Sequence, residues 1–233
     1  MKNKILIICS HPDDEILGCG GTIAKHINNK DLVKVIYTHE GCSSRFNIKK
    51  NEIIKKKINL EIEEREKMAI KVSKFLKFKI INFYNYDNLD TTRFNLLDLI
   101  KKIDKDIKSF KPTIIYTHNE FDLNEDHRNT FKATINACRP NDVYNVNEIY
   151  TFETPSATEW SNSFYQNKFN PDYFVDIDKF FEKKMKALKI YNKELRKFPH
   201  PRSKEFIKAL AIYRGGAVYL NKAESFKTIR RIF

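Results

Sequence analysis

Five consecutive apolar residues, Ile5-Leu6-Ile7-Ile8-Cys9, end at Ser10 and lead straight into His11-Pro12-Asp13-Asp14-Glu15. A short apolar run bounded by polar residues reads as a buried β-strand, here Lys4 to Ser10. The C-terminal ends of such strands are where open α/β sheets place their ligands. The turn that follows carries one imidazole and three carboxylates within five residues. Carboxylates this close repel one another unless something positive sits among them, and a divalent metal is the simplest candidate.

The rest of the chain alternates strand-like and helix-like runs. Gly20 to Asn28 reads as a helix after a Gly-rich turn, and Leu32 to Thr38 as the second strand. Glu61 to Lys77 is a helix with apolar positions at Ile62, Met68, Val72, Phe75 and Leu76. Lys79 to Phe83 is the third strand. Thr92 to Phe110 is an amphipathic helix that Pro112 closes, and Thr113 to Thr117 is the fourth strand. His127 to Cys138 is helical and Asn147 to Phe152 is a later strand. Asp178 can cap a helix running to about Arg196, and Lys204 to Leu220 makes a last helix. This alternation implies an α/β, Rossmann-like three-layer fold with a mostly parallel sheet. No repeat or Gly/Ser/Pro linker interrupts it, so residues 1–233 read as one domain.

At 233 residues the chain can bury a substantial core. No apolar run approaches the ~20 residues that span a bilayer, so no membrane span is expected. The short N-terminal apolar run has no small-residue cleavage site and reads as a strand, which implies a cytoplasmic protein. Cys9, Cys19, Cys42 and Cys138 form no C-x-x-C pair and read as reduced, buried thiols. The formal charge of +13 comes from lysines spread along the helical segments. That pattern reads as a solvated surface, with a phosphate- or nucleotide-bearing substrate kept as the alternative. No nucleic-acid partner is expected.

Two loops carry the chemistry. His11, Asp13, Asp14 and Glu15 follow the first strand; His118 ends the fourth, followed by Asp122, Glu125, Asp126 and His127. In a parallel sheet both loops emerge on one side, so they can converge. Two histidines and one carboxylate make a catalytic-type zinc set with a position left for water. A His-Pro-Asp turn can also be purely structural. Gly18, Gly20 and Gly21 invite a dinucleotide-binding reading but lack the third glycine of that fingerprint. They read better as a tight turn beneath the metal loop.

His11-Pro12-Asp13-Asp14-Glu15 followed by Gly18 and Gly20-Gly21-Thr22 resembles the first signature of the zinc-dependent PIG-L/LmbE-like N-acetyl-sugar deacetylases. Thr38-His39-Glu40-Gly41 resembles the family's turn after strand two, and Asp122-Leu123-Asn124-Glu125-Asp126-His127 its second metal loop. Later blocks are similar too: Phe174 to Ile177, Glu182 to Tyr191, His200-Pro201-Arg202-Ser203, and Arg214-Gly215 to Phe226.

The resemblance implies an LmbE-like fold and hydrolysis of the N-acetyl group of an amino sugar or an N-acetylglucosaminyl conjugate. It makes His11, Asp14 and His127 the metal ligands and Asp13 the general base toward a water acidified by Zn2+. Fe2+ suits the same donors. Some members carry a histidine where Asn124 stands, and an amide cannot act as an acid, so Asn124 is expected to bond the loop or the substrate. His200 is the candidate for acid or oxyanion help, against the plainer reading of a histidine in a Pro-flanked loop. Arg65 matches a substrate-contacting arginine, though Glu63, Glu64 and Glu66 equally suit a salt-bridged helix face. Asp126 is expected to orient a ligand histidine, and Glu15 to support or cap the turn. Trp160, Phe164, Tyr165 and Phe169 stud a polar stretch that could stack on a sugar, form a lid or make an oligomer contact; family members are often homo-oligomers. A nucleotide- or nucleic-acid-binding protein and a catalytically weakened family member are the competing readings.

Overall fold

The computed structural model describes residues 2–46, 52–90, 94–140, 144–161 and 168–232. Seven strands form one sheet: β1 Lys4–Cys9, β2 Leu32–His39, β3 Lys79–Tyr86, β4 Ile114–His118, β5 Glu148–Phe152, β6 Tyr173–Asp176 and β7 Ala223–Arg231. Their spatial order is β3-β2-β1-β4-β5-β7-β6. β1 to β5 run parallel, and β7 runs antiparallel to both β5 and β6. The helices are α1 Asp14–Asn28, α2 Glu52–Leu76, α3 Leu96–Phe110, α4 Glu125–Ala137, the short α5 Thr158–Ser161, α6 Phe181–Ile190 and α7 Lys204–Gly216.

Strand alternation divides β1 between two cores. Ile5, Ile7 and Cys9 face one side, where they pack with residues of α1, α2, α6 and α7 such as Ile23, Val72, Leu188 and Ile207. Leu6 and Ile8 face the other, with Leu99 and Ile103 of α3 and Ala133 of α4. Both faces of the sheet are thus covered, which is why β1 needs an uninterrupted apolar sequence.

β1 pairs with β2 on one side and β4 on the other, so the strand order reverses there. At such a switch point the loops diverge to opposite faces and leave a crevice at the strand C-termini. His39 closes β2, His118 closes β4, and His11 follows β1 at that same edge.

Several boundaries differ from expectation. α1 starts at Asp14, not after the glycines, and bends at Cys19 (φ −144°, ψ 27°). The glycines lie inside it because close packing overrides their weak helix propensity. A Cβ on Gly18 would strike the Phe152 ring, and one on Gly21 would meet Ile177. They therefore form no phosphate-cradling turn. α2 begins at Glu52, earlier than the periodicity indicates, and only Arg65, Ala69, Val72, Ser73 and Leu76 of it are buried. α6 ends at Ile190, short of Arg196. β6 and β7 were not expected; β7, Ala-Glu-Ser-Phe-Lys-Thr-Ile-Arg-Arg, has too many charges to read as a strand. The expected helix start at Thr92 lies outside the described residues, and α3 begins at Leu96 behind an Asn95 cap that accepts from the Asp98 amide.

Candidate active site

The turn after β1 is built around its own carboxylates. Asp14 Oδ2 accepts from the His11 amide at 2.9 Å, and Glu15 Oε2 accepts from the Asp13 amide at 3.0 Å. Asp14 and Glu15 also occupy the first turn of α1, where the helix dipole favours negative charge. Asp13 holds a left-handed backbone, φ 132°, in which a non-glycine residue is strained. Burial raises the Glu15 carboxyl to about 8, although the Tyr191 hydroxyl donates to it at 2.7 Å.

The second loop meets the first. Asn124 caps α4, its Oδ1 accepting from the Asp126 amide at 2.8 Å, and this points Asp126 and His127 inward. Asp14 Oδ2 lies 3.2 Å from His11 Nδ1 and 3.4 Å from His127 Nε2. Each histidine has a carboxylate behind it. His11 Nε2 is 2.9 Å from Asp126 Oδ2, and His127 Nδ1 is 2.9 Å from Asp122 Oδ2. Asp122 is held in turn by the Thr158 hydroxyl at 2.5 Å, and Asp126 by the Leu89 amide at 3.1 Å. Such pairing fixes the tautomer and leaves the other ring nitrogen free toward Asp14.

The electrostatics follow from this packing. Burial works against charge on His127, but Asp14 and Asp122 outweigh it and push the imidazole up to about 10. Burial likewise opposes ionisation of Asp14, yet His127, His118 and His11 hold its carboxyl well below the usual range. His39, nearly enclosed and close to three other histidines, is pushed down to about 4, chiefly by burial.

The donors of His11, Asp14 and His127 lie within 4.8 Å of one another, as do those of His118, Asp122 and His127. The first group fits a divalent cation. Asp14 Oδ1 and His127 Nε2 are both buried and take no hydrogen bond, a costly arrangement unless a cation satisfies them. The second group is already engaged. His118 Nε2 accepts from the Ser10 amide at 2.8 Å, its ring stacks on His127 with centroids 3.8 Å apart, and Asp122 is the partner of His127 Nδ1. His118 and Asp122 therefore support His127.

Asp13 sits beside this group with each carboxylate oxygen close to an arginine. Its Oδ1 lies 3.1 Å from Arg65 Nη2, and its Oδ2 accepts from Arg202 Nη1 at 3.0 Å. Burial raises the Asp13 carboxyl despite both arginines. Arg65, expected at the substrate, is only 4% exposed. Its donors go to the protein: Nε to the Pro12 carbonyl at 2.9 Å and Nη1 to the Gly41 carbonyl at 2.5 Å. The guanidinium thus ties the loops after β1 and β2 together. Asn124, also expected to bond loop or substrate, caps the loop.

Gly41, at φ 75°, explains the tight turn after β2. A Cβ there would fall on Arg65 Nη1 and within 2.9 Å of His11 Cδ2. Gly41→Ala is expected to destabilise the protein by about 1–3 kcal/mol, read by urea unfolding, since it combines backbone strain with displacement of Arg65.

His200 lies in the loop before α7. Its Nδ1 accepts from the Arg202 amide at 3.0 Å, and its ring stands edge-on to Trp160 at 5.4 Å. Burial and the cations of Arg202 and Arg196 lower its pKa, which favours the neutral ring. The direct bond from this loop to Asp13 is made by Arg202. Trp160 is 45% exposed, whereas Phe169 is buried beside Arg214; Phe164 and Tyr165 lie outside the described residues.

Sequence reasoning places His118 and Asp122 in the second loop and Arg202 in a later block without giving them these roles, and it misses Glu194. Glu194 Oε2 faces Arg45 at 2.9 Å, Arg202 at 3.5 Å and Arg65 at 3.8 Å. A histidine closing β4 was a usable signal for His118; nothing local marks Glu194.

Known proteins resemble this chain in sequence and in fold. The chain is 27% identical over 195 residues to the uncharacterized deacetylase YaiS of Escherichia coli, covering 81% of this chain and 90% of that protein. It is 24% identical over 238 residues to diacetylchitobiose deacetylase of Thermococcus kodakarensis, covering 99% and 84%. The solved N,N'-diacetylchitobiose deacetylase of Pyrococcus horikoshii superposes with a TM-score of 0.77 at 20% identity, over 97% of this chain and 84% of that one. GalB, a 4-carboxy-2-hydroxymuconate hydratase from Pseudomonas putida, superposes with a TM-score of 0.75 at 20% identity, over 100% and 98%. One fold thus hosts a hydratase as well as deacetylases, so the fold alone does not fix the reaction. The family match is more specific, because it spans the residues that build both loops. Residues 6–138, from β1 through the α4 helix that carries His127, match PIG-L, GlcNAc-PI de-N-acetylase, and the chain belongs to that family.

Proposed function

We propose that this protein hydrolyses the N-acetyl group of an N-acetylated amino sugar or N-acetylglucosaminyl conjugate, with Zn2+ or Fe2+ held by His11, Asp14 and His127. The observation that carries the reading is the pair of buried, unbonded donor atoms, Asp14 Oδ1 and His127 Nε2, in a family of de-N-acetylases. A divalent cation at such a site supplies Lewis acidity, making water more acidic and stabilising charge on a carbonyl oxygen.

The chain's own residues do the rest. Asp126 and Asp122 hold His11 and His127 in the tautomers that leave one nitrogen each for the cation. Asp13 Oδ1 lies 3.1 Å from Arg65 Nη2, and because a carboxylate oxygen carries two lone pairs it keeps one for the proton of the attacking water. The leaving amine needs a proton, because an amide anion is a very poor leaving group. His200 is proposed for that step or for holding the oxyanion. His200→Ala should lower turnover by roughly 10²-fold or more with the metal still bound; near-normal turnover would remove His200 from the mechanism.

The test is a free-amine release screen over N-acetylglucosamine conjugates, including nucleotide- and lipid-linked ones, on protein with a measured metal content. Release that requires metal is the expected result. Metal-loaded protein that releases amine from none of them would overturn the reading.

A further inference from the structure

Asp13 and Asp14 are adjacent carboxylates at one helix end, yet only Asp14 lies against the histidines. Aspartate oxygens are good zinc ligands, so something must keep Asp13 from joining the set. The structure supplies two guanidiniums, from α2 and from the loop before α7. Arg65 Nη2 stands 3.1 Å from Oδ1, and Arg202 Nη1 donates to Oδ2 at 3.0 Å.

The two arginines are fixed differently. Arg65 is buried and pinned by the Pro12 and Gly41 carbonyls. Arg202 is partly exposed and is steadied by the Ser156 hydroxyl at 2.8 Å and by Glu194 at 3.5 Å. Arg65 is therefore the fixed half of a clamp, and Arg202 the half that a substitution can remove cleanly. An added carboxylate ligand would take the coordination position that a catalytic site leaves open for water. It would also consume the Asp13 lone pair.

We propose that Arg202 is a positioning residue which, with Arg65, clamps the Asp13 carboxylate out of the metal-ligand set, so that Asp14 ligates and Asp13 remains available as the base. The proposal rests on the metal site of the reading above, and its last clause also on the hydrolysis.

Cobalt(II) in place of zinc tests it without substrate, because the visible absorption of cobalt reports coordination geometry. Wild type and Asp13→Asn should give the same spectrum. Arg202→Ala should lose absorption intensity as Asp13 joins the metal, and the double variant should return to the wild-type spectrum, the signature of coupling between the two residues. An unchanged spectrum in Arg202→Ala overturns the proposal, as does a change that persists in the double variant. If Arg202→Ala does not fold, Arg202→Lys keeps the charge but loses the planar fork. It should show a smaller change, again abolished by Asp13→Asn. With a substrate in hand, Arg202→Ala should lower kcat roughly tenfold or more and leave KM within about threefold; a wild-type kcat also overturns the role. Silence of the wild type toward every acetylated substrate would sink the deacetylase reading and leave the spectral result standing.

Discussion

Asp13→Asn is expected to lower turnover by about 10²- to 10⁴-fold, the usual contribution of a general base, while the protein keeps its full complement of metal. The two halves of that result come from different atoms. Asparagine preserves the size and shape of the side chain and an oxygen for one of the two arginines, so the turn after β1 should persist. It cannot accept a proton, so the base is gone. Metal content should hold because both Asp13 oxygens face Arg65 and Arg202, whereas the histidines face Asp14. Metal analysis and steady-state kinetics on the same preparation check it. Amine release near the wild-type rate would remove Asp13 from the chemistry; loss of metal would place Asp13 among the ligands.

The meeting of the two loops was legible in the sequence, for a physical reason. A parallel sheet sends successive strand ends to one edge, so residues placed just after apolar runs meet. That the loop after β1 and the start of α4 converge needed only that rule; the choice of His11, Asp14 and His127 among the histidines and carboxylates there is what the family resemblance implies. The residues that escaped act across distances no local pattern encodes. Arg202 reaches Asp13 over 189 positions, and Glu194 reaches Arg45 over 149. The glycines of α1 were misplaced because their helical state depends on Phe152 and Ile177 pressing against them, contacts invisible to propensity. β7 was missed because its outer half is only half-buried and carries Lys227, Arg230 and Arg231, which blur the alternation that marks a strand.

His127 should make the stability of the metal-free protein depend on pH in a way that metal abolishes. Burial disfavours its charged form, but Asp14 and Asp122 prevail and hold the proton up to about 10, against an ordinary value of 6.5. A group whose folded pKa is raised contributes stability that is complete below its unfolded pKa and is lost as pH rises through the folded one. The chelated protein should therefore lose thermal stability between about pH 7 and about pH 10. A bound cation takes the place of that proton, since a ligating histidine must be neutral. The loaded protein should show little of the decline over the same range. The same exchange works on affinity: each unit of pH below about 10 should weaken metal binding about tenfold for every proton displaced. His127→Ala should remove both effects, leaving a protein that binds metal poorly and whose chelated and untreated forms melt alike. Thermal unfolding of chelated and loaded protein across this range decides the matter. Parallel curves would mean that His127 does not exchange its proton for the metal.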